Sequence, residues 1–104
     1  MPHLRITITR FIDPHQPGWV ACTLTDVYGA LHTFHEKIPV VTPEPLDENS
    51  TYPQQGVIAC RVVSTHVDDA GRTVVTIDTA TPWSVESTEG MTQFKVFEGQ
   101  LTDF

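Results

Sequence analysis

The stretch Ala30–Lys37, ALHTFHEK, is where residue types and spacing come closest to a chemical site. His32 and His35 are three residues apart, and Glu36 follows the second histidine directly. Imidazole and carboxylate groups bind zinc and act as proton donors and acceptors. On a helix, side chains three and four residues apart share a face, so these three groups would form a plausible metal site. The question is therefore whether this stretch is helical or extended.

The surrounding residues favour a strand. A turn ends at Gly29, β-favouring residues follow, and Pro39 does not fit a helix interior. On a strand, His32 and His35 point to opposite faces because their separation is odd. His32 and Glu36 share a face, but four extended residues separate them by about 13 Å, whereas zinc–ligand bonds are about 2 Å long. The sequence therefore predicts no metal site and no cofactor.

Glu36 has an unusual position in the alternation. If Phe34 and the apolar residues after it face the core, Glu36 faces the core too. A buried carboxylate must be paired or protonated, and its pKa would rise. One interpretation is a bulge, or a place at the barrel rim, that turns Glu36 outward. The other is a pocket in which Glu36 acts as an acid, base or ligand anchor, with Arg61 and His66 as candidate partners.

Two tryptophans and a further carboxylate complete the candidate binding residues. Trp19 follows a Pro-Gly pair, and Trp83 lies in an irregular polar segment together with Glu86 and Glu89. Large aromatic side chains outside the main core close the end of a small barrel or anchor an interface, and the sequence leaves both open. Glu86 with Glu89 is a weak paired-carboxylate candidate that we expect to be solvated.

The dominant hydrophobic period along the chain is two, which is typical of strands. The turns Asp26–Gly29 and Asp68–Gly71 both place Asp first and Gly fourth, which predicts two antiparallel hairpins. The predicted strands are 3–12, 18–27, 30–41, 57–67, 72–79 and 92–98.

Two segments lack a strand pattern. Residues 42–56, TPEPLDENSTYPQQG, contain three prolines, three acids and no base. A connection of this length is usually functional, disordered or home to a short helix. In residues 80–91, ATPWSVESTEGM, Thr81 before Pro82 resembles a helix N-cap and first helical residue, so one helical turn is compatible with the sequence.

The predicted fold is a single all-β domain, residues 1–104. Six strands that each bury one face need a sandwich or a barrel. We expect a small, antiparallel, partly open six-stranded barrel with one long acidic Pro-rich loop, and a β-sandwich is the alternative. At the level of pattern only, the layout resembles OB-fold and translation-factor-type barrels. No motif of either family is present, and no functional residue is transferred from them.

The acidic composition narrows the range of partners. Thirteen acids against six bases give a net charge of -7, and the bases are scattered. Such a surface repels phosphates, which argues against nucleic-acid and anionic-membrane binding. The first residues, MPHLRITITRF, lack the apolar region of a signal peptide, and no stretch approaches the ~20 apolar residues of a membrane span. We expect a bacterial-style cytoplasmic protein.

Cys22 and Cys60 both lie within apolar alternating runs. The pattern favours two reduced core thiols over a disulfide, which would need oxidising surroundings and close Cα atoms. A catalytic thiol is disfavoured because a buried thiol in apolar company keeps a high pKa.

The sequence favours a non-enzymatic function, since no Ser–His–Asp arrangement and no Gly-rich phosphate loop is present. The leading hypothesis is a binding module that engages a protein partner through an acidic surface. An inhibitor or immunity-like protein directed against a basic nuclease or toxin is one version of it. The alternative is a small-molecule-binding or enzymatic barrel with a site at its mouth around Glu36. A third hypothesis is self-association through edges at strands 3–12 and 92–98.

Overall fold

The protein is an all-β domain of eight strands, one helical turn and one 3₁₀ turn, as seen in a computed structural model that describes residues 1–103. The elements in chain order are β1 (Pro2–Asp13), β2 (Trp19–Thr25), β3 (Leu31–Lys37), α1 (Ile38–Val41), β4 (Gln54–Ala59), β5 (Arg61–Val67), β6 (Thr73–Asp78), β7 (Gln93–Phe97), the 3₁₀ turn (Glu98–Gln100) and β8 (Leu101–Asp103).

The strands form two antiparallel sheets. The larger sheet has the order β3-β2-β1-β4, and β8 pairs with the first residues of β1. The smaller sheet has the order β5-β6-β7. The all-β prediction is confirmed. Within the described residues the sheets do not close into a barrel, which fits a partly open barrel and a sandwich alike.

Alternate residues of both sheets build one core. Phe34 of β3 and Phe94 of β7 meet edge to face with ring centroids 5.6 Å apart, which joins the two sheets. The buried apolar residues of this core are Leu4, Ile6, Ile8, Val20, Cys22, Leu24, Phe34, Ile38, Val41, Ile58, Cys60, Val75, Ile77, Val85, Phe94 and Val96.

The predicted strand 57–67 is in fact two strands that belong to different sheets. Ile58, Ala59 and Cys60 are 0, 2 and 2% exposed, so the alternation of faces breaks here. The Cys60 N–H donates to the Pro2 carbonyl (3.1 Å), and the chain then enters the smaller sheet. Strands that switch sheets at a bend are a common way to make a corner.

The predicted strand 30–41 is wrong after Lys37, because Ile38–Val41 forms one helical turn closed by the Thr42 N–H on the Ile38 carbonyl (3.0 Å). Pro39 lies in the first helical positions, where its missing N–H has no intrahelical acceptor to lose. The turn packs on β4 at Gly56, where a Cβ atom would be 2.9 Å from the Val41 carbonyl oxygen.

Both Asp-x-x-Gly turns are confirmed. Each aspartate accepts hydrogen bonds from two backbone amides of its own turn, at 2.8–3.0 Å. Gly29 and Gly71 adopt φ values of +81° and +79°, in the left-handed region that glycine enters without strain. The two hairpins are β2–β3 and β5–β6.

The acidic Pro-rich loop is ordered. The Tyr52 hydroxyl donates to the Asp47 carbonyl (2.7 Å), and Leu46 and Tyr52 pack against the core. The loop contains no helix and ends where β4 begins at Gln54. No helix among residues 1–103 has the length and apolar character needed to cross a membrane.

Of the two strands expected at sheet edges, the one within residues 92–98 lies at an edge and the one at residues 3–12 does not. β1 is paired on both sides, so the prediction for residues 3–12 is wrong. β7 is the last strand of its sheet, but the Val27 N–H from the first hairpin turn donates to the Lys95 carbonyl (3.0 Å) on its outer side.

Candidate functional site

β3 is extended throughout Leu31–Lys37, which confirms that its two histidines face opposite sides. His32 points inward, with Nε2 2.8 Å from Asp26 Oδ2 and its ring 4.9 Å from that of Phe94. His35 is exposed. Among residues 1–103, no three His, Cys, Asp or Glu side chains come close enough to hold a metal ion.

A groove of about 540 Å³ lies between β3 and the segment 84–88. It is lined by His35, Glu36, Ser84, Glu86, Ser87 and Thr88. The residues that line it are two glutamates, two serines, one threonine and one histidine. The lining contains no lysine and no arginine, so its fixed charge is negative.

The far wall of the groove is held by hydrogen bonds to both sheets. The Thr88 N–H donates to the Thr33 carbonyl on β3 (2.8 Å). Thr79, fully buried at the end of β6, donates its hydroxyl to the Val85 carbonyl (2.7 Å), and Val85 N–H returns a bond to the Thr79 carbonyl (3.0 Å). Val85 is buried in the core. The neighbours of Val85, Ser84 and Glu86, are exposed.

Ser87 shapes the end of this wall and was not singled out by the sequence analysis. Its Oγ accepts hydrogen bonds from the N–H groups of Glu89 (3.3 Å) and Met91 (3.0 Å). The Gly90 N–H donates to the Ser87 carbonyl, and Gly90 has φ +81°. Ser87–Gly90 thus repeats the Asp-x-x-Gly turn with serine in the first position. That spacing was a readable signal in the sequence.

Glu36 is half-buried at the rim of the groove. β3 pairs with β2 without a register shift, and Glu36 lies opposite Val20, so no bulge turns it outward. Burial raises the pKa of Glu36, and the nearby Lys37 opposes the rise only in part. Glu36 therefore lies at a rim, as the first interpretation expects, and this rim borders a groove, as the second expects.

Arg61 and His66 are not brought to Glu36. Arg61 begins β5, and its guanidinium lies 3.7 Å from the Asp78 carboxylate. His66 is exposed farther along β5. Neither residue lines the groove. Of the residues proposed from the sequence, Glu36 and Glu86 are the two that the fold brings together.

The two tryptophans lie in different environments. Trp19 begins β2 half-buried, with the Lys37 ammonium 5.6 Å from its ring centroid. Trp83 is 65% exposed, so it does not close the barrel end. It belongs to a turn in which the Ser84 N–H donates to the Ala80 carbonyl, and no helix forms at Thr81.

The cysteines are free, buried thiols. Burial raises the pKa of Cys22 to about 12 and that of Cys60 to about 11. Both stay protonated at neutral pH, so neither is an activated nucleophile.

Comparison of the chain with protein-family models, with curated proteins and with solved structures found no match. The groove is thus interpreted from its chemistry alone. Its carboxylates and hydroxyls can accept hydrogen bonds from a cationic donor, and its open form admits an extended side chain.

Proposed function

We propose that the protein is a non-enzymatic binding module whose acidic groove receives a basic segment of a protein partner. The observation that carries this proposal is that Glu36 and Glu86 line one groove that has no lysine and no arginine. A basic nuclease or toxin, held by an inhibitor or immunity-like protein, is one partner of this kind.

The burial of Glu36 supports a cationic ligand. The pKa of Glu36 is raised because burial removes water from the carboxylate and the charge of the nearby Lys37 offsets this only in part. A lysine or arginine of a partner would supply a further positive charge, and the interaction is stronger where the groove excludes water. The net charge of -7 would speed the approach of a basic partner.

The order in the acidic loop argues for the groove over the loop as the main contact. Leu46 and Tyr52 pack against the core, so deleting this loop would damage the fold as well as any surface. Point substitutions in the groove therefore test the proposal more cleanly than a loop deletion.

The test is binding of an arginine-rich peptide, followed by fluorescence anisotropy at increasing salt. Glu36→Gln and Glu86→Gln should each weaken binding by up to roughly fivefold, and salt should weaken it further. Glu98→Gln removes the same charge from an exposed residue outside the groove and serves as the matched control. An affinity that does not change with salt concentration, or that all three substitutions weaken equally, would contradict the proposal.

The half-buried Glu36 next to His35 also supports a second candidate, a small-molecule or catalytic site at the same groove. An uncharged ligand whose binding depends on Glu36 but not on salt would favour this alternative. The same titration thus separates the two candidates.

A further inference from the structure

Strand β5 differs from the other strands of the fold in being exposed along its whole length, Arg61–Val67. Two other outermost strands accept a backbone hydrogen bond on their outer sides, β3 from the Thr88 N–H and β7 from the Val27 N–H. No backbone bond from another part of residues 1–103 reaches the outer side of β5. An open strand edge of this kind is a template for pairing.

The register shows which backbone groups are free. The Asp68 N–H donates to the Arg72 carbonyl, so these residues form a hydrogen-bonded pair at the hairpin end. Because such pairs alternate along an antiparallel ladder, His66 and Ser64 bond to β6, opposite Val74 and Thr76. The N–H and C=O groups of the residues between and beyond them, Thr65 and Val67, point away from β6.

Strand β5 exposes several apolar side chains to solvent, which is unfavourable for an edge that stays in water. Val62, Val63 and Val67 are 42, 41 and 65% exposed. Thr65 lies opposite Val75, which is 3% exposed, so this face of β6 is covered while the same face of β5 is not. The strand carries no carboxylate, no lysine and no proline that would guard it against pairing.

We infer that two copies of the chain associate through antiparallel pairing of β5 with β5, on a two-fold axis at Thr65. This register places Thr65 opposite Thr65 of the second copy, so that their free N–H and C=O groups bond to each other. Val67 then lies opposite Val63, the extra residue of the bulge between Val62 and Ser64, and two apolar pairs form by symmetry.

Charge complementarity favours the same register. Pairing centred on Thr65 brings Arg61 toward Asp69 of the second copy at each end. The Asp69 carboxylate forms no ion pair within residues 1–103, and Arg61 has only the longer contact to Asp78. Centring the axis on His66 would instead oppose two imidazoles and place Val63 against Asp69. The result would be a continuous six-stranded sheet made of β5-β6-β7 from both copies.

The first test is sedimentation velocity of the full chain from about 10 µM to about 1 mM, because an interface of this size is weak. The average mass should rise toward that of two chains. An average mass equal to one chain over the whole range would overturn the inference. The edge of β5 would then be open to pairing with a strand of another protein.

Variants then locate the interface. Val67→Lys and Thr65→Pro should each weaken association by at least roughly tenfold, since they add a charge to the seam or remove its central donor. Tyr28→Lys adds the same charge in the first hairpin turn, at a side chain that is 75% exposed, and should have no effect. Circular dichroism melts establish that each variant folds.

A charge exchange tests the register itself. Asp69→Lys should weaken association by bringing two cations together, and adding Arg61→Glu should restore it. A dimer that is indifferent to Val67→Lys, or that the double substitution does not recover, would contradict pairing at β5 in this register.

Discussion

The Nε2 atom of His32 lies 2.8 Å from the Oδ2 atom of Asp26, and both side chains are 11% exposed. The other oxygen of Asp26 accepts from the backbone amides of Tyr28 and Ala30. One carboxylate therefore closes the first hairpin turn and fixes the imidazole against Phe94. In the second hairpin, Asp68 occupies the same turn position but contacts Arg72, whose side chain is 60% exposed.

Asp26→Asn should therefore destabilise the protein more than Asp68→Asn. The loss of a shielded, charged hydrogen bond costs about 1–3 kcal/mol, whereas an ion pair exposed to solvent contributes less, because water screens it. Urea unfolding of the two variants beside the parent chain measures the difference. Equal costs would show that the His32 contact adds nothing to the turn.

The contribution of Asp26 to the free energy of unfolding should decrease in acid. Burial raises the pKa of Asp26, but hydrogen bonds from His32 and the backbone outweigh it and hold the pKa below 3.8. A lowered pKa in the folded state gives stability that is present above about pH 4 and is lost as the pH falls through the folded value. The parent chain and Asp26→Asn should thus converge in acid.

The carboxylate of Glu36 should have the opposite effect on the pH dependence of stability, and Glu36→Gln tests this. Burial raises the pKa of Glu36 above 4.5, with Lys37 opposing in part, so the folded state binds the proton more tightly than the unfolded chain. The free energy of unfolding then falls as the pH rises through this window. The variant should be more stable than the parent at neutral pH and should match it below about pH 4.

Chemical denaturation across this pH range is the measurement, and Glu86→Gln is the control for removing a charge from an exposed side chain of the same groove. An unchanged profile in Glu36→Gln would mean that Glu36 is solvated, which would also weaken the case for the groove as a binding site.

The local features of this fold were predictable because their causes are local. Asp-x-x-Gly specifies its own turn through hydrogen bonds within four or five residues, and alternation in β3 separates His32 from His35. The groove at Glu36 was not predictable, because its second wall is distant in sequence. A single backbone hydrogen bond, from the Thr88 N–H to the Thr33 carbonyl, joins that wall to β3. The corner at Cys60 likewise depends on Pro2, which is distant in sequence.

The two cysteines should be unreactive until the protein unfolds. Cys22 and Cys60 are 0 and 2% exposed, and burial raises their pKa values to about 12 and about 11. Iodoacetamide at about pH 8 should therefore label them only through opening of the structure. Labelling in urea gives the rate for the unfolded chain, and fast modification of the folded protein would contradict the prediction.

Thr79→Val should loosen the outer wall of the groove. The substitution keeps the shape of the side chain but leaves the buried Val85 carbonyl without its 2.7 Å hydroxyl donor, a loss of about 1–3 kcal/mol. Thr76→Val in β6 is the matched control, because the Thr76 hydroxyl accepts from the Lys95 ammonium, which can turn to water. Hydrogen exchange at the Thr88 amide should accelerate in Thr79→Val and stay unchanged in Thr76→Val. Equal exchange in both would mean that the bond to Thr33 holds the wall without Thr79.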